Sequence, residues 1–139
     1  MILLDTNVLI YAFDPDSDFS NWAQETIALA VAGDGAAINA VSLAEIGVGD
    51  ADPATVADRV RSWGIHILDV PVAAAVGCAD AYRRYRQRRW STSGKPAPPM
   101  PLPDFFIGAH AKILGWELTT ADPGRFRTYF PSVPLKMPP

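Results

Sequence analysis

The sequence predicts an α/β fold in three layers, with a central, mostly parallel sheet flanked by helices. Short apolar runs alternate along the chain with segments of helical periodicity, which is the order of elements typical of this class. The chain has 139 residues, a length at which one domain buries roughly 70% of its unfolded surface. We therefore expect a single domain over residues 1–139.

The first predicted element is a buried strand over residues 1–4, which are all apolar. Asp5 follows directly, and Thr6 is a good N-cap residue for a helix with one apolar face. The segment 5–7 is therefore predicted to be a strand-to-helix turn. Such turns line the ligand-binding edge of open α/β sheets.

Two helices and a strand are predicted next. Asp18 or Ser20 can cap the second helix, and residues 36–39 form a short second strand. Ser42 and Glu45 have the spacing of a capping box at the start of the third helix. This spacing gives Glu45 a structural interpretation.

The second half of the chain contains the longest predicted helix and the longest predicted loop. The helix, over residues 71–90, begins with small apolar residues and ends strongly basic. Residues 91–103 contain five prolines, which exclude regular structure and predict an ordered surface loop. The other predicted elements are helices over residues 53–63 and 104–115, a short turn over 125–130, and strands over 65–70, 117–119 and 133–136.

The composition excludes a disulfide framework and a membrane span. Cys78 is the single cysteine and lies in an apolar helix, so we expect a buried small residue in a cytoplasmic protein. Residues 1–13 lack the basic region of a signal peptide. No apolar run approaches the ~20 residues that a bilayer requires, so no membrane partner is expected.

Four carboxylates share one local situation, the end of a strand or the start of a helix: Asp5, Glu45, Asp104 and Asp122. In open α/β sheets, ligands gather at such positions. At a separation of roughly 4 Å two of these charges would repel by about 4 kcal/mol, so a cluster would require cations. Oxygen ligands without a set of Cys or His predict Mg²⁺, with Mn²⁺ as the alternative. Each acid also has a structural interpretation, as a helix cap, a capping-box partner or a turn residue.

Four segments of the chain match a known pattern in their order and spacing. They are DTNVLIYAF, SLAEIGVG, PDFFIGAHA and LTTADPGRFRTYFP. With these segments the chain resembles PIN-domain ribonucleases, in particular the VapC-type toxins of bacterial toxin–antitoxin pairs. The resemblance covers essentially the whole chain.

The resemblance implies a PIN-like fold and a metal-dependent endoribonuclease, in which the four acids surround one or two Mg²⁺ ions. Asn7 and Thr120 match polar positions of the family, where they would hydrogen-bond to the carboxylates and orient them. A water activated by the metal would then attack a phosphodiester of the RNA substrate. The other predicted partners are a small cognate antitoxin and a second copy of the chain in a homodimer.

The basic end of the long helix has two interpretations. Its arginines are interleaved with Tyr82, Tyr85 and Trp90 and followed by Lys95, a pattern that suits contact with an RNA backbone and stacked bases. Cations at a helix C-terminus also favour a plain solvated end. The candidate RNA-binding residues are Arg83, Arg84, Arg86, Arg88 and Arg89.

Two other functions stay open at this stage. A PIN-like nuclease without a toxin role could act in RNA maturation or on DNA, and a non-catalytic module of the same fold could bind a partner. The presence of all four acids disfavours the non-catalytic module, and the small size favours the toxin. His66 and His110 are expected to be structural, since neither has a partner at metal-ligand spacing.

Overall fold

The computed structural model describes residues 1–94 and 102–139, and its centre is a sheet of five parallel strands. They lie in the order β3-β2-β1-β4-β5, and each neighbouring pair is parallel. The predicted α/β class is therefore confirmed. The strands are β1 (Ile2–Leu4), β2 (Ala36–Asn39), β3 (His66–Leu68), β4 (Glu117–Thr119) and β5 (Leu135–Lys136).

Helices connect the strands, because a parallel pair needs a crossover. A 3-10 turn, Pro53–Thr55, precedes the fourth helix. Within the described ranges no helix is both long and apolar enough to cross a membrane. The helices are α1 (Thr6–Phe13), α2 (Ser20–Ala32), α3 (Ala40–Val48), α4 (Val56–Ser62), α5 (Val72–Ser93), α6 (Leu102–Leu114) and α7 (Gly124–Tyr129).

Two apolar cores lie on opposite faces of the sheet, because successive strand residues point to opposite sides. Leu3 belongs to the core formed with α5, α6 and α7, which includes the buried rings of Phe105 and Phe126. Leu4 belongs to the core formed with α1, α2, α3 and α4, which includes Leu9. Helices therefore cover both faces, which gives the three predicted layers.

The order of the strands reverses at β1. This strand pairs with β2 on one side and with β4 on the other. In open parallel sheets, ligands bind at such a point, outside the carboxyl ends of the two strands. The backbone N–H of Asp5 donates to the carbonyl oxygen of Thr119 at 2.9 Å, so the segments that follow β1 and β4 run side by side.

Two helices begin differently from the prediction. Asp5 rather than Thr6 caps α1, because its Oδ1 accepts a hydrogen bond from the Thr6 N–H at 2.8 Å. Pairing with β4 keeps Asp5 extended, the backbone conformation that a cap requires. At α2 the cap is Phe19 without a side-chain hydrogen bond, so the caps predicted at Asp18 and Ser20 are wrong.

The capping box predicted for Ser42 and Glu45 is also wrong. Asn39 caps α3, and its side-chain oxygen accepts a hydrogen bond from the Ser42 N–H at 3.0 Å. The helix therefore begins at Ala40, and Glu45 lies beyond its first turn. The capping-box interpretation of Glu45 is thereby removed.

The predicted loop over residues 91–103 is shortened at both ends. Helix α5 continues through Ser93 and ends at Gly94, whose φ of +67° is the left-handed conformation that glycine adopts easily. Helix α6 begins at Leu102, so Pro103 lies in its first turn, where proline is tolerated. The prediction for residues 95–101, including Lys95, lies outside the described residues. The third and fifth strands are shorter than predicted, at His66–Leu68 and Leu135–Lys136.

Candidate metal centre

Asp5 is the innermost carboxylate at the edge of the sheet. It follows β1, is 4% exposed and accepts a hydrogen bond at each oxygen. The Thr6 N–H donates to Oδ1 at 2.8 Å, and the Thr120 hydroxyl donates to Oδ2 at 2.8 Å. Each oxygen keeps a further lone pair, so the carboxylate is fixed in orientation and can still bind a cation.

The segment after β4 is tied to the segment after β1 by side chains. Besides donating to Asp5, the Thr120 hydroxyl accepts a hydrogen bond from the Asp122 N–H at 3.0 Å. The side-chain oxygen of Asn7 accepts one from the Ala121 N–H at 3.3 Å. Asn7 and Thr120 therefore hold the loop that carries Asp122. That they orient the ligands of a metal ion stays a prediction.

Glu45 reaches the same region from α3. Its Oε1 accepts a hydrogen bond from the Thr6 hydroxyl at 2.7 Å, and Thr6 Oγ1 also lies 3.0 Å from Ser42 Oγ. Thr6 is 6% exposed, whereas Glu45 is half-buried. Thr6 therefore fixes one oxygen of Glu45, while its backbone N–H fixes one oxygen of Asp5.

Asp104 lies in the first turn of α6 and forms an ion pair with Arg125 of α7. The distance between Arg125 Nη1 and Asp104 Oδ2 is 2.6 Å, and the two side chains are 43% and 30% exposed. Asp122, three residues before Arg125, is exposed. The exposure of the four acids thus increases from the buried Asp5, through the half-buried Glu45 and Asp104, to the exposed Asp122.

The carboxyl groups influence one another electrostatically. Burial, followed by the negative charge of Asp104 and then that of Glu45, raises the pKa of Asp5 from 3.8 to about 7, against the lowering effect of its hydrogen bonds. Burial and Asp104 also raise the pKa of Glu45. The pKa of Asp104 is raised by burial and by Asp122, although Arg125 lowers it. The site therefore carries more negative charge than its surroundings compensate.

This set of oxygen donors suits a hard divalent cation. In residues 1–94 and 102–139 no three Asp, Glu, His or Cys side chains lie close enough to ligate one ion together. Mg²⁺, however, usually keeps several waters and takes only one or two protein carboxylates. The negative charge of Asp104 raises the pKa of Asp5, so these two carboxylates are a pair of oxygen donors whose chemistry fits a hydrated Mg²⁺ ion.

The histidines and the cysteine lie apart from this chemistry. His110 is buried, and its Nδ1 is hydrogen-bonded to the side-chain nitrogen of Asn39 at 3.2 Å. Burial lowers the pKa of His110. His66 is exposed in β3. Cys78 is 1% exposed, and burial raises the pKa of its thiol to about 11, so it stays protonated near neutral pH.

The family is decided by a match along almost the whole chain. The family model described as PIN domain matches residues 2–130, a span that contains all four acids. The chain belongs to the PIN domain family. The resemblance to the PIN domain family, stated from the four sequence segments, is therefore confirmed. The comparison with curated proteins gave no match.

Solved structures share the fold of this PIN domain. VapBC2 from Rickettsia felis, bound to a DNA fragment from its promoter, matches with a TM-score of 0.66 and 20% identity over 100% of both chains. FitAcB from Neisseria gonorrhoeae matches with a TM-score of 0.61 and 22% identity over 97% of this chain and 96% of that chain. A toxin–antitoxin complex from Klebsiella pneumoniae matches with a TM-score of 0.62 and 25% identity over 96% and 95%.

At the basic end of α5 in this PIN domain, Arg84 contacts other residues of the same chain. Arg84 donates to the carbonyl oxygen of Tyr129 at 3.4 Å and lies 3.9 Å from Asp80, with half of its side chain exposed. Trp90 is 60% exposed, whereas Tyr85 is buried in the core. The predicted stacking role therefore cannot extend to Tyr85, and for the accessible Trp90 it stays a prediction.

Two residues of the site have contacts that the sequence did not suggest. Thr6 was assigned to a helix cap, yet its hydroxyl orients Glu45. Arg125 was assigned only to a short turn, yet it forms an ion pair with Asp104. The signal for Thr6 is its place directly after Asp5 in the DTN segment, whereas Arg125 has no comparable local signal.

For the metal-dependent nuclease predicted from the sequence, Thr6→Val is expected to lower the rate of cleavage by about 10- to 100-fold, the effect typical of a group that orients a metal ligand. Valine keeps the shape of the side chain but leaves Glu45 without its 2.7 Å hydrogen bond. The free energy of unfolding should fall by about 1–3 kcal/mol, because the buried Ser42 hydroxyl also loses its contact with Thr6. Single-turnover cleavage measures the first effect and chemical denaturation the second.

Thr6→Ser is the matched control, because it retains the hydroxyl and should retain most of the activity. A Thr6→Val protein that cleaves at the wild-type rate would show that the hydrogen bond has no part in catalysis.

Proposed function

We propose that this PIN domain is a Mg²⁺-dependent endoribonuclease and the toxin of a toxin–antitoxin pair. The observation that carries the proposal is the burial of the Asp5 carboxylate, 4% exposed, near Asp104 and Glu45, which raises its pKa. Burying uncompensated carboxylates is costly, and a bound cation removes that cost. The PIN family and the solved VapBC and FitAB folds support a nuclease as the protein that uses this cation.

Each residue of the site has a role in this mechanism. Asp5 and Asp104 would hold the metal ion directly, and Glu45 and Asp122 would bind its waters. When bound, the ion activates a water as the nucleophile and stabilises charge on the phosphodiester and its leaving oxygen. Thr6 and Thr120 keep the carboxylates in place. No side chain of the protein has to act as a nucleophile.

The decisive experiment is cleavage of mixed RNA with and without metal. We expect cleavage with Mg²⁺ or Mn²⁺, and none with EDTA or with Ca²⁺, whose oxygen contacts are longer and less regular. Asp104→Ala, purified in parallel, should be inactive in each case and controls for contaminating nucleases.

Other outcomes would select a rival function. Cleavage of DNA but not RNA would favour a DNA nuclease. An absence of cleavage with either metal would favour a non-catalytic module that binds a partner. Equal activity of Asp104→Ala would contradict the assignment of the site.

The toxin role requires a cognate antitoxin. A basic side chain from a small protein could enter the acidic site and replace the metal ion, since the carboxylates carry excess negative charge. Expression of the chain alone should arrest growth, and co-expression with the product of the neighbouring upstream reading frame should relieve the arrest. Free growth without that product would refute the toxin role.

The homodimer stays a prediction. Sedimentation of the purified protein can measure its oligomeric state.

RNA binding is proposed for the exposed arginines of α5. In the part of the chain that the structure describes, the guanidinium groups of Arg83 and Arg86 have no partner, and both side chains are exposed. They are three residues apart and so share one helical face. Arg84 is less suitable for a test, because its substitution would also break the contact with Tyr129.

Replacing Arg83 and Arg86 together by Gln should change the binding of single-stranded RNA. The slope of log affinity against log salt should become less steep by about 1.4, because each lost phosphate contact reduces the slope by about 0.7. Binding is measured in Ca²⁺, which is expected to permit association without cleavage. Arg59 and Arg61 of α4, on the other face of the sheet, provide a control with the same change of net charge and should leave the slope unchanged. Both are ion-paired, with Asp50 and Asp58, so the fold of this control is checked by thermal unfolding. An unchanged slope in the α5 variant would favour the solvated helix end.

A further inference from the structure

Arg125 forms an ion pair inside the candidate metal centre. Its Nη1 lies 2.6 Å from Oδ2 of Asp104, so the pair joins the first turns of α7 and α6. The side chains of Arg125 and Asp104 are 43% and 30% exposed, so the pair lies at the open side of the site. It occupies a carboxylate that the proposed function assigns to the metal ion.

Arg125 and a metal ion would compete for Asp104. Both are cations that need the same negative charge, and two cations on one carboxylate repel each other. Mg²⁺ has twice the charge of a guanidinium and requires short, regular oxygen contacts. A partly exposed ion pair contributes little to stability, so the pair opens at small cost when the ion arrives.

The backbone of Arg125 stays beside the site when the pair opens. Helix α7 is anchored by the neighbouring Phe126, which is 1% exposed and packs in the core with Phe105, next to Asp104 in α6. The released guanidinium would therefore remain close to the carboxylates without a partner of its own. The anion that the site must admit is the phosphodiester of the substrate.

We propose, on the basis of the proposed function, that Arg125 holds Asp104 in the metal-free protein, releases it to the metal ion and then contacts a phosphate of the RNA. The planar fork of a guanidinium matches a carboxylate and a phosphate equally well. Arg125 thus exchanges one anion for another. In the metal-free protein it keeps the charge of Asp104 compensated, and in the complex it positions the substrate.

Arg127 offers a matched control on the same helix. It lies two residues further along α7, and its Nη2 contacts Met137 Sδ at 3.0 Å rather than a carboxylate. Replacing Arg127 removes the same charge from nearly the same place in the chain. Effects that depend on charge alone should therefore appear in both variants, whereas effects of the pair should appear only with Arg125.

The first test measures Mg²⁺ binding by calorimetry on the intact protein without RNA. Arg125→Gln should bind Mg²⁺ about fivefold more tightly than the wild type, or better, since two ligands that exclude each other are typically coupled by at least that factor. Arg127→Gln should stay within about twofold of the wild type. Thermal unfolding confirms that each variant is folded, and Arg125→Met, which keeps an apolar stem, replaces the Gln variant if the latter does not fold.

The second test measures RNA affinity against salt, in Ca²⁺ and in EDTA. In Ca²⁺, Arg125→Gln should flatten the slope by about 0.7, the loss of one phosphate contact to a single strand. In EDTA the slope should match that of the wild type, because Arg125 is then engaged with Asp104. Arg127→Gln should resemble the wild type in both conditions.

The outcomes separate this inference from the proposed function. Wild-type protein that binds no Mg²⁺ would overturn the proposed function and this inference with it. Mg²⁺ binding in the wild type that is unchanged or weaker in Arg125→Gln would overturn the inference alone, because the pair would then be a structural support of the site. An unchanged salt slope in Ca²⁺ would exclude the contact between Arg125 and the phosphate.

Discussion

Asp5→Asn is expected to lower Mg²⁺-dependent RNA cleavage by at least ~100-fold, beyond the upper range seen when a group that only orients a ligand is removed. Asparagine lacks the negative charge that attracts the ion, although it still caps α1 through its side-chain oxygen. The metal-free variant should be as stable as the wild type or more stable near neutral pH, since the repulsion from Asp104 and Glu45 disappears. Cleavage assays and unfolding in EDTA measure the two effects.

Asp122→Asn is the companion variant. Its side chain is exposed, so we expect a loss of activity of similar direction with little change in stability. If both variants were clearly less stable than the wild type in the absence of metal, the structural interpretation of these aspartates would be favoured. In Asp5→Asn, one effect acts against the gain in stability from the lost repulsion. The Thr120 hydroxyl donates to Asp5, and the amide of asparagine can present an N–H at that position instead of an acceptor.

The metal-free wild type is expected to become less stable as the pH rises from about 4 to about 7. The pKa of Asp5 is raised from 3.8 to about 7, so in this interval the folded state binds more protons than the unfolded state. The free energy of unfolding therefore falls with pH. At about 1.4 kcal/mol for each pKa unit, the contribution of Asp5 to this fall is on the order of 4 kcal/mol. The raised pKa values of Glu45 and Asp104 act in the same direction.

His110 acts in the opposite direction. Burial lowers its pKa, so just below its ordinary value of 6.5 the unfolded state binds the additional proton and stability rises with pH. Comparing the wild type with Asp5→Asn across the same pH range cancels this contribution. Identical pH profiles for the two proteins would contradict the raised pKa of Asp5.

Saturating Mg²⁺ should stabilise the wild type most at high pH, where the carboxylates are ionised.

The positions of three acids could be predicted because they depend on local signals. Asp5 follows an apolar strand, Asp104 lies in the first turn of a helix after a proline, and Asp122 follows β4. Each local pattern is contained in a few neighbouring residues. The sheet edge at which they meet follows from the alternation of strands and helices.

The environment of Glu45 could not be predicted in the same way. Asn39 and Ser42 can both cap a helix, and the end of β2 at Asn39, set by pairing with β3, decides between them. The partner of Glu45 is Thr6, 39 residues away in the chain. Contacts of this kind depend on the packed fold, as does the bond from Arg84 to the Tyr129 carbonyl across 45 residues.

The hydrogen bond from Thr120 to Asp5 joins residues 115 positions apart. Loop closure over such a distance has to be compensated by the pairing of β1 with β4, so this bond forms only when both strands are present. A nascent chain that has not reached Asp122 therefore has no assembled site. If the chain is a toxin, it cannot cleave RNA before Asp122 has been synthesised, and during that interval a partner made beforehand can reach it first.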